Sequence, residues 1–308
     1  MGIPQVKSIW MNGKLTPWQD AKVHVLSHSL HYGSGVFEGI RCYNTINGPA
    51  VFRLREHIER LFFSAKIHRI KIPYTIEEIE SAIFETIKEN KLEACYIRPL
   101  VIFGMDSLGV HPGSCPIEVS IATWPWAAYL GEEALQNGIR ATISSWRKFH
   151  SSMMPTSAKA TGQYLNSVLA VSDAVSKGYD EAILLNMNGE VAEGSGENLF
   201  LVKNNTIITN PENDSILNGI TRHSSIQIIK HLGLDIQERS IGVPELFCAD
   251  ELFFTGTAAE VTPIREVDHR IISQGKMGPI TQKIQKLFFD VVNGRNEDFK
   301  NWLTYLET

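Results

Sequence analysis

Met154-Pro155-Thr156-Ser157-Ala158-Lys159-Ala160-Thr161-Gly162-Gln163-Tyr164 sets one lysine among small, uncharged neighbours just ahead of a helical pattern. Most lysines are solvated surface points, and alone Lys159 carries no presumption of chemistry. Its surroundings change that. From Phe149 through Ser172, with His150 counted as neutral, Lys159 is the only formal charge, so no carboxylate close in sequence neutralises it. A lysine removed from water loses affinity for its proton, becomes an amine near neutral pH and attacks carbonyls. The rest of the chain must then supply a carbonyl cofactor.

Moving toward the C-terminus, Tyr164, Leu165, Val168, Leu169, Val171 and Val175 predict a helix closed by Gly178. Ala182 to Leu185 is an apolar strand, Asn186 to Gly189 a turn, and residues 190–202 return as Glu190-Val191-Ala192-Glu193-Gly194-Ser195-Gly196-Glu197-Asn198-Leu199-Phe200-Leu201-Val202. Glu193 stands between strand and glycine break, where sheet ends present functional side chains; a solvated turn glutamate is the plainer alternative. Ile216-Leu217-Asn218-Gly219-Ile220-Thr221-Arg222 opens a helix to about His231. A glycine turn ahead of a helix leaves backbone N–H groups for an anion, although many helices simply begin this way. Leu252 to Glu260 is a buried strand ending in small residues around Thr257, a second candidate anion turn.

Toward the N-terminus, Ser8 to Lys14 reads as a strand entering an Asn-Gly hairpin turn, and Ala50 to Arg53 follows a second such turn at Asn47-Gly48. Between them lies Leu30-His31-Tyr32-Gly33-Ser34-Gly35-Val36-Phe37-Glu38-Gly39-Ile40-Arg41-Cys42-Tyr43, with a strand from Val36 to Tyr43. Its three glycines allow close backbone approach, or serve only a tight turn into a hairpin. His24, His28 and His31 have helical spacing, but with no carboxylate among them and no cysteine near, packing roles outweigh a metal site. Leu54, Ile58, Leu61, Phe62 and Ala65 predict an amphipathic helix whose other face carries Arg55, Glu56, His57, Glu59 and Arg60, a pattern ordinarily solvated. A second helix runs from Thr75 to about Lys91, followed by strands at 94–103 and 117–124.

A length of 308 residues favours two domains: an N-terminal α+β domain over 1–125, a linker over 126–136, and a C-terminal domain over 137–308 carrying Lys159. Trp124, Trp126 and Tyr129 crowd the run that leads into that linker, and aromatic side chains in such a place seek burial in a pocket between domains. The net charge of −5 offers no basic field for nucleic acid. Cys42, Cys95, Cys115 and Cys248 are scattered and form no CxxC pair. With no signal-peptide pattern and no apolar run long enough to span a bilayer, they read as reduced thiols of a cytoplasmic protein.

Each feature is weak alone, yet together they meet the needs of one cofactor that carries an aldehyde, a pyridine nitrogen and a phosphate. Lys159 suits the Schiff base, Glu193 the pyridine nitrogen, and Arg60, Ile220, Thr221 and Thr257 the phosphate. A carboxylate near 4 Å from a cation is worth about 4 kcal/mol at an effective dielectric near 20, roughly three pKa units. That keeps a ring nitrogen cationic and the ring an electron sink.

Seven ordered stretches resemble the branched-chain amino-acid aminotransferases, pyridoxal-phosphate enzymes of fold type IV: YGSGVFEGIRCY at 32–43, HIERLFFSAK at 57–66, YIRPL at 96–100, SAKATGQYLNS at 157–167, EVAEGSGENLF at 190–200, LNGITR at 217–222 and GTAAEVTPI at 256–264. The resemblance covers nearly the whole chain. It implies an N-terminal α/β sandwich-like domain, a C-terminal pseudo-barrel and pyridoxal 5'-phosphate held between them. Lys159 is then the Schiff-base lysine and proton shuttle, and Tyr164 meets the phenolic oxygen. Arg60, Glu193, Leu217, Gly219, Ile220, Thr221 and Thr257 complete the cofactor set.

The resemblance further implies a substrate pocket of Tyr32, Phe37, Gly39, Arg41, Tyr96, Arg98, Trp126, Tyr129, Ala258 and Ala259. Leu108 and Val110 join it from a neighbouring copy of a homo-oligomer, a dimer or trimer of dimers. No metal is implied. The substrates are leucine, isoleucine and valine with 2-oxoglutarate and glutamate, since an apolar pocket separates guests differing by a methylene by only about 1–3 kcal/mol. A D-amino-acid aminotransferase or aminodeoxychorismate lyase shares the lysine and phosphate motifs, and the Phe37, Arg41, Tyr96 and Arg98 pattern favours the branched-chain reading. A non-catalytic phosphate-binding protein would keep the anion turns and have no need of Lys159.

Overall fold

The computed structural model describes residues 2–126 and 131–306. The chain forms two compact units, one from Met1–Trp126, Ala158–Gln163 and Val291–Thr308, the other from Ala127–Ser157 and Tyr164–Asp290. Both mix helices with sheet, the α+β class that the sequence implies.

In the first unit eight strands form one sheet. Its order is Leu303–Tyr305, Gly48–Phe52, Ile40–Thr45, Cys95–Phe103, Ile117–Trp124, Ser8–Met11 and Lys14–Pro17, with Gly35–Phe37 also on Cys95–Phe103. Helices Leu54–Ile67 and Ile76–Glu89 cover one face. Leu54, Ile58, Leu61 and Ala65 of the first and Ile79, Ala82, Ile83 and Ile87 of the second meet Ile40, Val51, Ile97, Val101, Val119 and Ile121 of the sheet in one core. The second helix opens on a reciprocal cap, in which Thr75 accepts from the Glu78 amide and Glu78 from the Thr75 amide.

The expected strand from Val36 to Tyr43 is two strands, Gly35–Phe37 and Ile40–Thr45, held in one continuous register on Cys95–Phe103. Phe37 faces Leu100 and Ile40 faces Ile97, which leaves Pro99 opposite Glu38. Proline has no N–H for the ladder, so only the Glu38 amide bonds there, donating to the Pro99 carbonyl at 2.9 Å.

Two segments expected in the second domain pack with the first unit instead. Ala160 bridges Val36 antiparallel, and Leu303–Tyr305 pairs with Gly48–Phe52, so long-range backbone bonds override chain order. Gly33 makes the first of these contacts possible. A Cβ there would lie 2.6 Å from the Gly162 backbone, and the Gly33 carbonyl accepts from the Gly162 amide at 3.0 Å and the Thr161 hydroxyl at 2.7 Å. Of the expected linker, residues 127–130 lie outside the described residues, and Glu132–Asn137 is a helix rather than an open connection.

The second unit holds a nine-stranded sheet in the order Val191–Gly194, Glu181–Leu185, Ile139–Arg147, Glu260–Val267, Glu251–Gly256, Asn198–Lys203, Thr206–Thr209 and Asp235–Glu238, with Arg270–Ile271 on Glu260–Val267. Helix Tyr164–Ser176 is the crossover between the parallel pair Ile139–Arg147 and Glu181–Leu185, and helix Ile220–His231 that between Thr206–Thr209 and Asp235–Glu238. The sheet curls back on itself. Asn210, just past the seventh strand of the order, donates to the Val191 carbonyl of the first at 2.6 Å. Among the described residues no helix is long and apolar enough to cross a membrane.

Candidate active site

In the first unit, strand alternation sorts the site residues onto one face. Phe37, Gly39 and Arg41 share that face with Tyr96 and Arg98, because Phe37 pairs with Leu100 and Arg41 with Tyr96. Gly39 is small for a reason, since a Cβ there would overlap the Tyr96 hydroxyl. The Arg98 guanidinium lies 4.8 Å from the Phe37 ring centre and 5.3 Å from that of Tyr96, and its Nη2 donates to the Tyr96 hydroxyl at 3.3 Å. Arg98 Nε is buried with no hydrogen-bond partner. A buried donor in that state invites an anionic guest. Trp126 is half-buried, its ring 4.4 Å from that of Tyr96 and 5.4 Å from that of Trp124.

Lys159 is half-buried beside this group, with Nζ 5.0 Å from the Phe37 ring centre. Its backbone is fixed on both sides: its amide donates to the Ser64 hydroxyl at 2.9 Å, and its carbonyl accepts from the Phe37 amide at 3.1 Å. Desolvation, with Arg60 and Arg98 as like charges, lowers its pKa from 10.5 to about 8 against the opposing pull of Glu38 and Tyr96. A useful fraction of amine is therefore present near neutral pH.

Glu38 is the residue that the sequence reading missed. It is fully buried, and Arg60 grips it twice, Nε to Oε1 at 2.6 Å and Nη2 to Oε2 at 2.9 Å. His57 Nδ1 lies 2.8 Å from Oε2. Burial alone would raise its pKa, but Arg60 and His57 outweigh that and hold Glu38 well below the usual carboxylate range. His57 is itself lowered by burial, with Glu38 opposing. The solvated face expected for the helix thus fails at His57 and Arg60, which turn inward to Glu38. The signal was present: Glu38 shares strand parity with Val36, Ile40 and Cys42, the core face.

Tyr32, Leu108 and Val110 lie at the surface. The Tyr32 hydroxyl donates to the Leu108 carbonyl at 2.7 Å, and Leu108 and Val110 are exposed. Tyr129 lies outside the described residues. The histidines serve the chain locally, His28 with Ser34 and the Gly109 carbonyl, His31 with the Val25 carbonyl, and His24 as acceptor from the Leu26 amide.

In the second unit Glu193 lies buried in strand Val191–Gly194. Its Oε2 accepts from the Leu217 amide at 2.9 Å and from Asn198 Nδ2 at 3.2 Å, and Lys148 Nζ lies 2.6 Å from Oε1. Lys148 and Asn198 were not anticipated. Lys148 stands just outside the charge-free run that drew attention to Lys159. Asn198 Nδ2 also donates to the Leu217 carbonyl at 2.9 Å, so one side chain ties Glu193 to the turn ahead of the next helix. There Gly219 precedes Ile220–His231 and provides no side-chain cap, leaving the amides at Ile220 and Thr221 without that claim. A Cβ at Gly219 would overlap Asn198 Oδ1. Thr257, Ala258 and Ala259 form the turn between Glu251–Gly256 and Glu260–Val267. Tyr164 begins helix Tyr164–Ser176.

A family model for amino-transferase class IV matches residues 35–267. The branched-chain-amino-acid aminotransferase of Pseudomonas aeruginosa is 49% identical over 97% of this chain and 97% of its own. The crystal structure of the Escherichia coli branched-chain amino acid aminotransferase superposes with a TM-score of 0.96 at 47% identity, covering 98% of this chain and 100% of that one. The T.th. branched-chain amino acid aminotransferase, solved with pyridoxamine 5'-phosphate, gives 0.95 at 48% identity over 98% and 99%. The same enzyme was also solved with N-(5'-phosphopyridoxyl)-L-glutamate, with a TM-score of 0.93 and 46% identity over 98% and 99%. The chain belongs to the class IV amino-transferase family, and within it to the branched-chain-amino-acid aminotransferases.

Proposed function

We propose that this aminotransferase moves the amino group of leucine, isoleucine or valine to 2-oxoglutarate, using pyridoxal 5'-phosphate anchored on Lys159. The observation that carries the reading is Lys159 itself, an amine with its pKa lowered to about 8, set beside Phe37 on the face that also bears Tyr96 and Arg98. The residues fit the cofactor by their chemistry. Lys159 offers the nucleophile, Glu193 a buried acceptor for a ring N–H, and Tyr164 a hydroxyl for the phenolic oxygen. The phosphate falls to Arg60, to the Ile220 and Thr221 amides beyond Leu217 and Gly219, and to Thr257.

When bound, the cofactor supplies an aldehyde and a protonated ring that accepts the electron pair released at the substrate's α-carbon. Lys159 Nζ takes the α-proton and returns it, which suits an amine poised near the working pH. Arg98, with its unpartnered Nε, and Tyr32 meet the second carboxylate of glutamate. Tyr96 and the Ala258 and Ala259 amides take the α-carboxylate, and Arg41 adds charge nearby. Phe37, Gly39, Trp126 and Tyr129 exclude water around the branched side chain. Leu108 and Val110, exposed on this chain, serve the pocket of a neighbouring copy in a homo-oligomer.

A substrate panel with 2-oxoglutarate as acceptor tests the reading. Turnover of all three branched L-amino acids, by a protein whose visible band borohydride removes, is the expected result. Turnover of D-alanine with none of L-leucine would replace it by the D-specific alternative.

A further inference from the structure

The buried pair of Lys148 and Glu193 reaches past the roles proposed above. Glu193 is 5% exposed and Lys148 8%. A carboxylate this far from water stays ionised only through partners that supply charge or N–H groups. The Leu217 amide and Asn198 provide neutral donors to Oε2, and Lys148 provides the cation, 2.6 Å from Oε1. Lys148 is well placed to stay there. Its amide donates to the Leu185 carbonyl at 2.8 Å, and Nζ lies 5.0 Å from the Phe149 ring centre.

If Glu193 serves the ring nitrogen, the two groups share one proton. Either the ring carries it beside an ionised Glu193, or Glu193 carries it beside a neutral ring. Lys148 acts on both states, attracting charge on the carboxylate and repelling charge on the ring. Two cations bound to one carboxylate are each nearer to it than to each other, and Coulomb energy falls with distance, so the attraction wins. We infer that Lys148 is a positioning residue that keeps Glu193 ionised and biases the shared proton onto the cofactor's ring nitrogen, an inference that rests on the role proposed for Glu193.

The test is 15N solid-state NMR of holoenzyme carrying cofactor labelled at the ring nitrogen, with thermal unfolding as a control of fold. Wild type should show a protonated nitrogen and Glu193→Gln a neutral one. Lys148→Met should lower the ratio of protonated to neutral ring about tenfold or more, and Lys148→Arg should restore it. In the Glu193→Gln background Lys148→Met should lower it no further, because only the repulsion between Lys148 and the ring remains to be lost. A neutral nitrogen in wild type, or one unmoved by Glu193→Gln, overturns the reading of Glu193. A shift with Glu193→Gln but none with Lys148→Met overturns the inference about Lys148 alone. If Lys148→Met does not fold, Lys148→Gln replaces it: a loss of ring protonation supports the role of Lys148, and an unmoved nitrogen overturns it.

Discussion

Among the buried carboxylates of this protein, Glu38 and Glu193 each face a cation, and they are built for different work. Glu38 meets a planar guanidinium through two parallel bonds and a histidine through a third. Glu193 meets an ammonium, a side-chain amide and a backbone amide. A bidentate arginine fixes geometry, whereas lysine contributes a point charge on a flexible stem. The first arrangement freezes its cation: Arg60 has one orientation because Glu38 gives it one. The second holds its carboxylate through single contacts to three different groups, which leave its environment adjustable. Burial alone therefore says little about the role of an acid, and the kind of cation facing it says more.

Lys159→Ala should lower transamination about a thousandfold or more while the fold survives, because the side chain supplies both anchor and proton carrier. Substantial residual turnover in a steady-state assay would remove Lys159 from the centre of the mechanism. Glu38→Gln should cost roughly 3–5 kcal/mol in denaturant unfolding, since it strands a buried guanidinium, and should weaken phosphate-dependent cofactor binding along with it. Stability lost with cofactor affinity intact would separate Glu38 from the orientation of Arg60.

Glu193→Gln should lower kcat about a hundredfold with a smaller change in cofactor affinity, the reverse of the Glu38 pattern. Parallel losses in both variants would erase the distinction between the two acids.

The smallest expected effect is one of pH. Covalent uptake of cofactor by the apoenzyme should rise with pH and level off above about 8, since the amine form reacts; a half-rise near the ordinary 10.5 would contradict it. The same lowered pKa has a sign for stability. Below about 8 the folded protein bears the full penalty of a charged, desolvated Lys159, and above 10.5 it bears none. Lys159→Met should therefore stabilise the apoprotein at pH 7 and not at pH 11, as thermal unfolding would report.

Much of this was legible in the sequence where local pattern carries it. The two amphipathic helices, the Asn-Gly turns and the uncapped start at Gly219 follow from spacing and turn chemistry. Lys159 and Glu193 stood out by charge and by glycine context. What stayed hidden depends on partners far along the chain. Glu38 finds His57 and Arg60 only when a strand and a helix close together, and Lys148, just past one strand, finds Glu193 across the intervening strand Glu181–Leu185. The break at Pro99 required a register, which no single strand contains. The grouping of Ala158–Gln163 with the first unit required the Val36 bridge.

One of those long-range pairings sets a timetable. Strand Leu303–Tyr305 forms the edge of a sheet whose next strand is Gly48–Phe52. On the ribosome that first unit has most of its strands before residue 127, yet this edge strand emerges only after the whole of the second unit. Until then Gly48–Phe52 is an unpaired edge, open to wrong partners, while the second unit is already complete in sequence. The first unit therefore cannot close its sheet until the second unit has been made.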